Sequence, residues 1–316
     1  MTITSRIDAI TKIPASRLAV SIPVPRSVKI ELTSACDFKC FFCATGKNLR
    51  PKQNMDFGLF RRLALEMRQS GVEELGLFYL GESFLYKQLP EAIAFAKHEA
   101  KFPYVFLTTN GRMATYERLE ACMRAGLDSL KFSFNWADKA QCAEVTGVDA
   151  FETCLEHLKL ARIVRDKVQA ETGHRCGLYA SSIEYDGDQK AKMDQTAAIL
   201  RKYVDEHYYL PLYNQAGYTT VEESKRGLTP TAGNQGRVGA LRDPLPCWAV
   251  FTEGHITADG KLSACCFDHT NQFEMADLTQ TSFAEGWNSV AFQNLRAAHL
   301  RKDVRGTACE GCIAYQ

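Results

Sequence analysis

The chain has 316 residues, 46% of them hydrophobic and 24% charged, with a formal net charge of +1. That is the composition of a globular protein able to bury one large core or two smaller ones. Lys and Arg are scattered, which excludes a nucleic-acid footprint, and no apolar run reaches the length of a membrane span. Residues 1–27 hold no continuous apolar stretch with a cleavage site, so a secretory signal is not expected. Twelve cysteines without such a signal point to a reducing cytoplasm and to metal-binding or catalytic thiols.

In chain order, Pro14, Pro23 and Pro25 make residues 1–27 an irregular arm or leader strand. The apolar, β-branched run 28–33 predicts a first strand. It runs into Cys36, Cys40 and Cys43, spaced CxxxCxxC, whose three thiolates can grip one compact inorganic centre. Soft thiolates select zinc, copper(I) or iron–sulfur clusters. Zinc sites take four protein ligands, or three and a water, and draw their cysteines from CxxC pairs. Three cysteines alone in a loop after a strand suit a [4Fe–4S] cluster with one iron left open.

Helix-like spacing of Leu59, Phe60, Leu63 and Met67 covers 57–70 and stops before Gly71. Strands at 75–80, 104–108, 129–134, 178–185 and 207–212 then alternate with helices at 89–100, 115–125, 150–168 and 190–204. Six strands alternating with helices imply a parallel sheet covered by helices, an α/β chain whose ligands gather at the C-terminal ends of the strands. Strand two ends in Leu80-Gly81-Glu82-Ser83, strand three in Thr108-Thr109-Asn110-Gly111. Strand four ends in Ser133-Phe134-Asn135, where alternation puts Ser133 and Asn135 on one face. Asn-Gly is also a good turn in its own right.

The CxxxCxxC loop after a first strand, with Phe42 before the last cysteine, resembles the radical S-adenosylmethionine enzymes. Gly81-Glu82 is similar to that family's Gly-Gly-Glu-Pro motif, with Leu80 and Ser83 in place of its first Gly and its Pro. The resemblance implies a partial (β/α)6 TIM-like barrel over 28–215. It implies a [4Fe–4S] cluster on Cys36, Cys40 and Cys43 whose open iron chelates S-adenosyl-L-methionine, giving a 5′-deoxyadenosyl radical. Phe42 would then lie against the adenine and Glu82 would hold the ammonium, with Gly81 letting the ligand approach the backbone. Ser133 and Asn135 would reach the ribose hydroxyls or the carboxylate.

Residues 216–246, rich in Gly and Pro, read as a linker. Beyond it stand Cys247, Cys265, Cys309 and Cys312. The residues between the first two read as a β-hairpin turning at Asp259-Gly260, and 283–300 reads as a helix. Four such thiolates could make a zinc knuckle on chemistry alone. The order C…GxxxxC…CxxC resembles the Twitch domain, the shortened SPASM extension of the same family. It implies that 247–316 is a small hairpin-plus-helix domain holding a second, fully ligated [4Fe–4S] cluster. Cys266 is left unassigned, because neighbouring thiolates rarely ligate one centre together.

A closed cluster suits electron transfer, hence a net two-electron oxidation. No peptide-recognition extension is evident before residue 28. The expected substrate is therefore a hydroxyl on a sugar, aminocyclitol or similar small metabolite, as in the family's aminocyclitol dehydrogenases. Modification of a peptide or protein side chain, or epimerisation with Cys142 or Cys176 as hydrogen-atom donor, stands as the alternative. Expected partners are a small-molecule substrate and an electron donor such as flavodoxin or ferredoxin, with no nucleic acid and no membrane. The catalytic base is not apparent.

Overall fold

The computed structural model describes residues 2–313. Six parallel strands form the barrel wall: β1 (Ser27–Ile30), β2 (Glu74–Gly76), β3 (Tyr104–Thr109), β4 (Ser129–Ser133), β5 (Gly177–Ile183) and β6 (Glu206–Leu210). They lie in the order β6-β5-β4-β3-β2-β1. Each crosses to the next through helical connections, the arrangement that parallel pairing requires. Along β3, Tyr104, Phe106 and Thr108 are half-buried while Val105, Leu107 and Thr109 are buried. The first set faces the lumen and the second the helical jacket, as the two-residue period of a strand demands.

The helices are α1 (Ile3–Thr11), α2 (Phe57–Gln69), α3 (Leu89–Ala94), α4 (Tyr116–Arg124), α5 (Lys139–Thr146), α6 (Phe151–Thr172) and α7 (Gly187–Leu200). They continue with α8 (Thr220–Ser224), α9 (Ala249–Thr252), α10 (Phe283–Trp287), α11 (Val290–Leu300) and α12 (Glu310–Ile313). Helix α2 shows how the sequence writes the jacket. Asp56 caps it by accepting from the Leu59 N–H at 2.8 Å, and Phe60, Leu63, Ala64 and Met67 form the buried stripe. No helix among the described residues is long and apolar enough to cross a membrane.

The C-terminal segment does not stand apart. β7 (Glu253–Ile256) pairs in parallel with β1, with Lys29 opposite His255. It is followed by antiparallel β8 (Lys261–Ser263) and β9 (Glu274–Asp277), so one nine-stranded sheet runs through both parts. The hairpin turns at Asp259-Gly260 as expected, Gly260 taking φ +81°. Its first arm is short: 249–252 form α9, and the strand starts at Glu253. The segment 283–300 is two helices, broken at Asn288-Ser289, where Ser289 caps the second by accepting from Phe292 N.

The expected N-terminal arm is also corrected. Residues 3–11 are helical, started by Thr2, which accepts from the Ser5 N–H at 3.1 Å. Arg6 pairs with Glu74 at 2.7 Å, Ile3 N donates to Glu206 at 2.9 Å, and Asp8 pairs with Arg237 at 2.7 Å. Glu74 and Glu206 begin their strands, so α1 lies across the N-terminal end of the barrel and stoppers it. Ile7 and Ile10 line the lumen from below.

Candidate active site

The loop carrying Cys36, Cys40 and Cys43 is pinned by the end of α5, a helix the sequence reading missed. Lys39 N donates to Thr146 O at 2.9 Å and Phe41 N to Val145 O at 3.1 Å, while Cys43 N closes back on Cys40 O at 3.0 Å. All three cysteines are half-buried. Burial pushes the Cys36 thiol up to about 12 and raises Cys40 too; Cys43 adds to both. Thiols held this high stay protonated until a metal's charge displaces the proton. No three His, Cys, Asp or Glu side chains among the described residues crowd one point as a single-ion site does.

Glu82 is buried beside this loop. Its carboxylate accepts from Thr109 Oγ1 at 2.8 Å, Asn110 N at 2.7 Å and Phe84 N at 3.1 Å. Burial outweighs these donors and lifts its pKa to about 7. The Thr-Asn-Gly segment therefore serves Glu82, and Asn110 Nδ2 also reaches Asp37 in the cysteine loop at 2.8 Å. Neither Thr109, Asn110 nor Asp37 had been singled out for such a role. Gly81 has a reason within the chain to be glycine. A Cβ there would stand 2.0 Å from Thr33 O and 2.8 Å from Ala35 O, so it is the chain's own backbone that approaches.

A cavity of about 310 Å³ fills the lumen below. Phe42, Ser133 and Asn135 line it, as strand alternation predicts, together with Lys131, Ser181, Tyr79 and Trp248. The buried Asn135 Oδ1 has no hydrogen-bond partner, and Ser181 Oγ lies near the Tyr208 hydroxyl without hydrogen-bond geometry. These orphaned polar atoms fit a polar ligand in this space. Lys29 crosses the sheet to Glu253 at 2.7 Å, and Glu253 also meets His255 at 3.1 Å.

Cys247, Cys265, Cys309 and Cys312 line a second, smaller cavity with Asn234, Ala264 and Phe273. The neighbouring cysteines part company here: Cys265 faces this cavity, while Cys266 faces the lumen. Asn234 Nδ2 donates to Cys266 Sγ at 3.1 Å. Cys142 and Cys176 are buried and line neither cavity. Asn214, just before the linker, braces the final knuckle, its Nδ2 donating to Cys312 O at 2.8 Å.

His299, buried on α11, was not foreseen. Its Nδ1 accepts from Cys247 N at 3.1 Å, so Nε2 carries the proton and points at Cys309 Sγ, 3.4 Å away. Burial lowers its pKa to about 4, keeping it neutral. Only a lone His on an apolar helix face was visible in the sequence.

Residues 30–211 match the family model of the radical SAM superfamily. The chain belongs to the radical SAM superfamily. Residues 247–313 match the SPASM iron-sulfur cluster-binding domain. S-adenosylmethionine and auxiliary iron–sulfur clusters accompany these two domains, and both cysteine groups, soft donors in apolar surroundings, fit such clusters.

Among relatives, the chain is 25% identical over 313 residues to a PqqA peptide cyclase of Xanthomonas campestris pv. campestris strain 8004, covering 92% of this chain and 80% of that one. It is 30% identical over 125 residues to the GTP 3′,8-cyclase of Chlorobaculum tepidum, spanning 37% of that protein's length. Its fold is similar to BtrN solved in complex with AdoMet and 2-DOIA (TM-score 0.59, 14% identity, 92% of each chain). It is also similar to Streptococcus suis SuiB bound to S-adenosylmethionine (TM-score 0.66, 16% identity, 88% and 69%). The architecture is thus the partial TIM-like barrel with a C-terminal cluster-binding domain.

Proposed function

We propose that this radical SAM enzyme is a dehydrogenase-type oxidoreductase acting on a hydroxyl of a sugar, aminocyclitol or similar small metabolite. The observation that carries the reading is the lumen. Its wall runs from Phe42 in the first cysteine loop to Cys266 and Phe267 beside the second cysteine group, and its size suits a small polar molecule. In this reading Cys36, Cys40 and Cys43 hold the open-iron cluster and Cys247, Cys265, Cys309 and Cys312 the closed one. When bound, these groups supply a 5′-deoxyadenosyl radical for hydrogen abstraction and a nearby electron acceptor. Phe42 would lie against the adenine, Glu82 would take the ammonium, and Ser133 and Asn135 would meet the ribose or carboxylate. Asp37, Thr109 and Asn110 fix Glu82 and the loop in register, and His299 holds Cys247 and Cys309 together. The strand side chains orient substrate and the helical jacket excludes water. A low-potential flavodoxin or ferredoxin in the cytoplasm serves as donor.

A second reading, modification of a peptide side chain, draws on the PqqA peptide cyclase match across 92% of this chain and on SuiB solved with precursor peptide SuiA. Epimerisation would draw its hydrogen atom from Cys266, the cysteine that lines the lumen. An anaerobic assay of the reconstituted chain decides among these. It scores 5′-deoxyadenosine together with the two-electron-oxidised product over a panel of sugars, aminocyclitols and peptides. Deoxyadenosine coupled only to a modified peptide would overturn the small-molecule reading.

A further inference from the structure

The charged groups of the lumen do not balance. Arg6, Lys29 and Lys131 line it and its lower annex, against the carboxylates of Glu74 and Glu253. Both carboxylates are taken. Glu253 holds Lys29 at 2.7 Å and His255 at 3.1 Å, while Glu74 holds Arg6 at 2.7 Å and Arg26 at 3.2 Å. His255 is fully buried, and burial lowers its pKa, so it adds no carboxylate and no settled charge. Lys131, projecting from the middle of β4, has no hydrogen-bond or ion-pair partner among the described residues. Its charged neighbour in the lumen is the like-charged Lys29. Phe78, Ile7 and Ile10 line the same space together with the hydroxyl-bearing Thr108, Ser129 and Tyr208, none of them an anion, and an ammonium so enclosed is costly unless an anion meets it.

The geometry points to an anion subsite at Lys131: the substrate carries a carboxylate or a phosphate ester that seats on this ammonium, with its reacting carbon toward Ser133 and Asn135. This rests on the lumen being the substrate site. Two residues of strand separate Lys131 from Ser133, so the anionic group sits roughly 7 Å below the reacting end. Burial and Lys29 lower the Lys131 pKa to about 7 when no anion is present. An anion in the subsite raises it and makes the amine a poorer nucleophile at neutral pH.

The test is trace labelling of the cluster-loaded chain at pH 7 with an N-hydroxysuccinimidyl ester, read by peptide mass spectrometry with exposed Lys87 as internal standard. Inorganic phosphate or acetate, at fixed ionic strength, is expected to cut Lys131 labelling at least about threefold relative to Lys87, and neutral inositol to leave it unchanged. Protection by phosphate alone assigns a phosphate ester, and protection by acetate as well assigns a carboxylate. Labelling that neither anion changes overturns the proposal. Should Lys131 resist labelling without anions, calorimetric titration of phosphate into the parent and Lys131→Gln decides, equal heats overturning it. Deoxyadenosine formation by the same preparation without substrate tests the radical chemistry separately.

Discussion

Glu82 has three hydrogen-bond donors around its carboxylate and still holds its proton to about pH 7, because burial disfavours the charge more than the donors favour it. A carboxyl whose folded pKa lies above its unfolded value contributes stability below the unfolded value and loses it as pH rises through the folded one. The ligand-free chain should therefore lose stability through this group between pH 4.5 and about 7. Thermal melts across that window should show a flatter slope for Glu82→Gln than for the parent, and parallel slopes would contradict the assignment. Two other residues separate the cysteine groups. Cys40→Ala should reduce 5′-deoxyadenosine formation to background. His299→Ala should keep cleavage while weakening the second site by roughly 10–100-fold, so that iron falls from about eight to about four per chain. Cleavage that survives Cys40→Ala, or full iron in His299→Ala, would break the respective claim.

Elements show where sequence carries structure and where it does not. The six barrel strands and α2 were legible because period is local: Phe60, Leu63 and Met67 announce their own face. The first cysteine loop was legible for the same reason, three ligands lying within one turn of chain. What was hidden depends on partners far away. Helix α1 gains its place from Glu74, Glu206 and Arg237, and His299 is explained by Cys247 and Cys309. The hairpin was legible, but its parallel pairing with β1 was not, since only β1 gives Glu253-Gly254 an extended partner. That joint makes a prediction. Lys29 and Glu253 clamp β1 to β7, and the Lys29 charge with the His255 hydrogen bond outweighs burial to hold the Glu253 pKa down at about 2. Glu253→Gln leaves Lys29 buried without its counter-charge, at a cost of roughly 3 kcal/mol. Denaturant midpoints at pH 7 should fall accordingly. The pair's contribution is present above the unfolded carboxylate range and fades as pH drops toward about 2, so the difference should shrink in acid.

At the scale of the whole molecule, one sheet joins two cysteine groups on either side of a single chamber. Tyr79 shows how short the separation is: it lines the lumen and its hydroxyl donates to the carbonyl of Cys265. Cys266, next along the chain, turns back into the lumen. The two groups thus share a wall. The stopper formed by α1 has a kinetic consequence. With the N-terminal end of the barrel plugged, everything that reaches Lys131 passes the mouth where Phe42, Ser133 and Asn135 would hold S-adenosylmethionine. Entry past that mouth would impose an order: a substrate seated at Lys131 would have to arrive before Phe42, Ser133 and Asn135 hold S-adenosylmethionine. Cofactor bound in advance should therefore slow substrate capture, which stopped-flow mixing in the two orders of addition would measure. Trimming α1 away would open a second door and abolish that order.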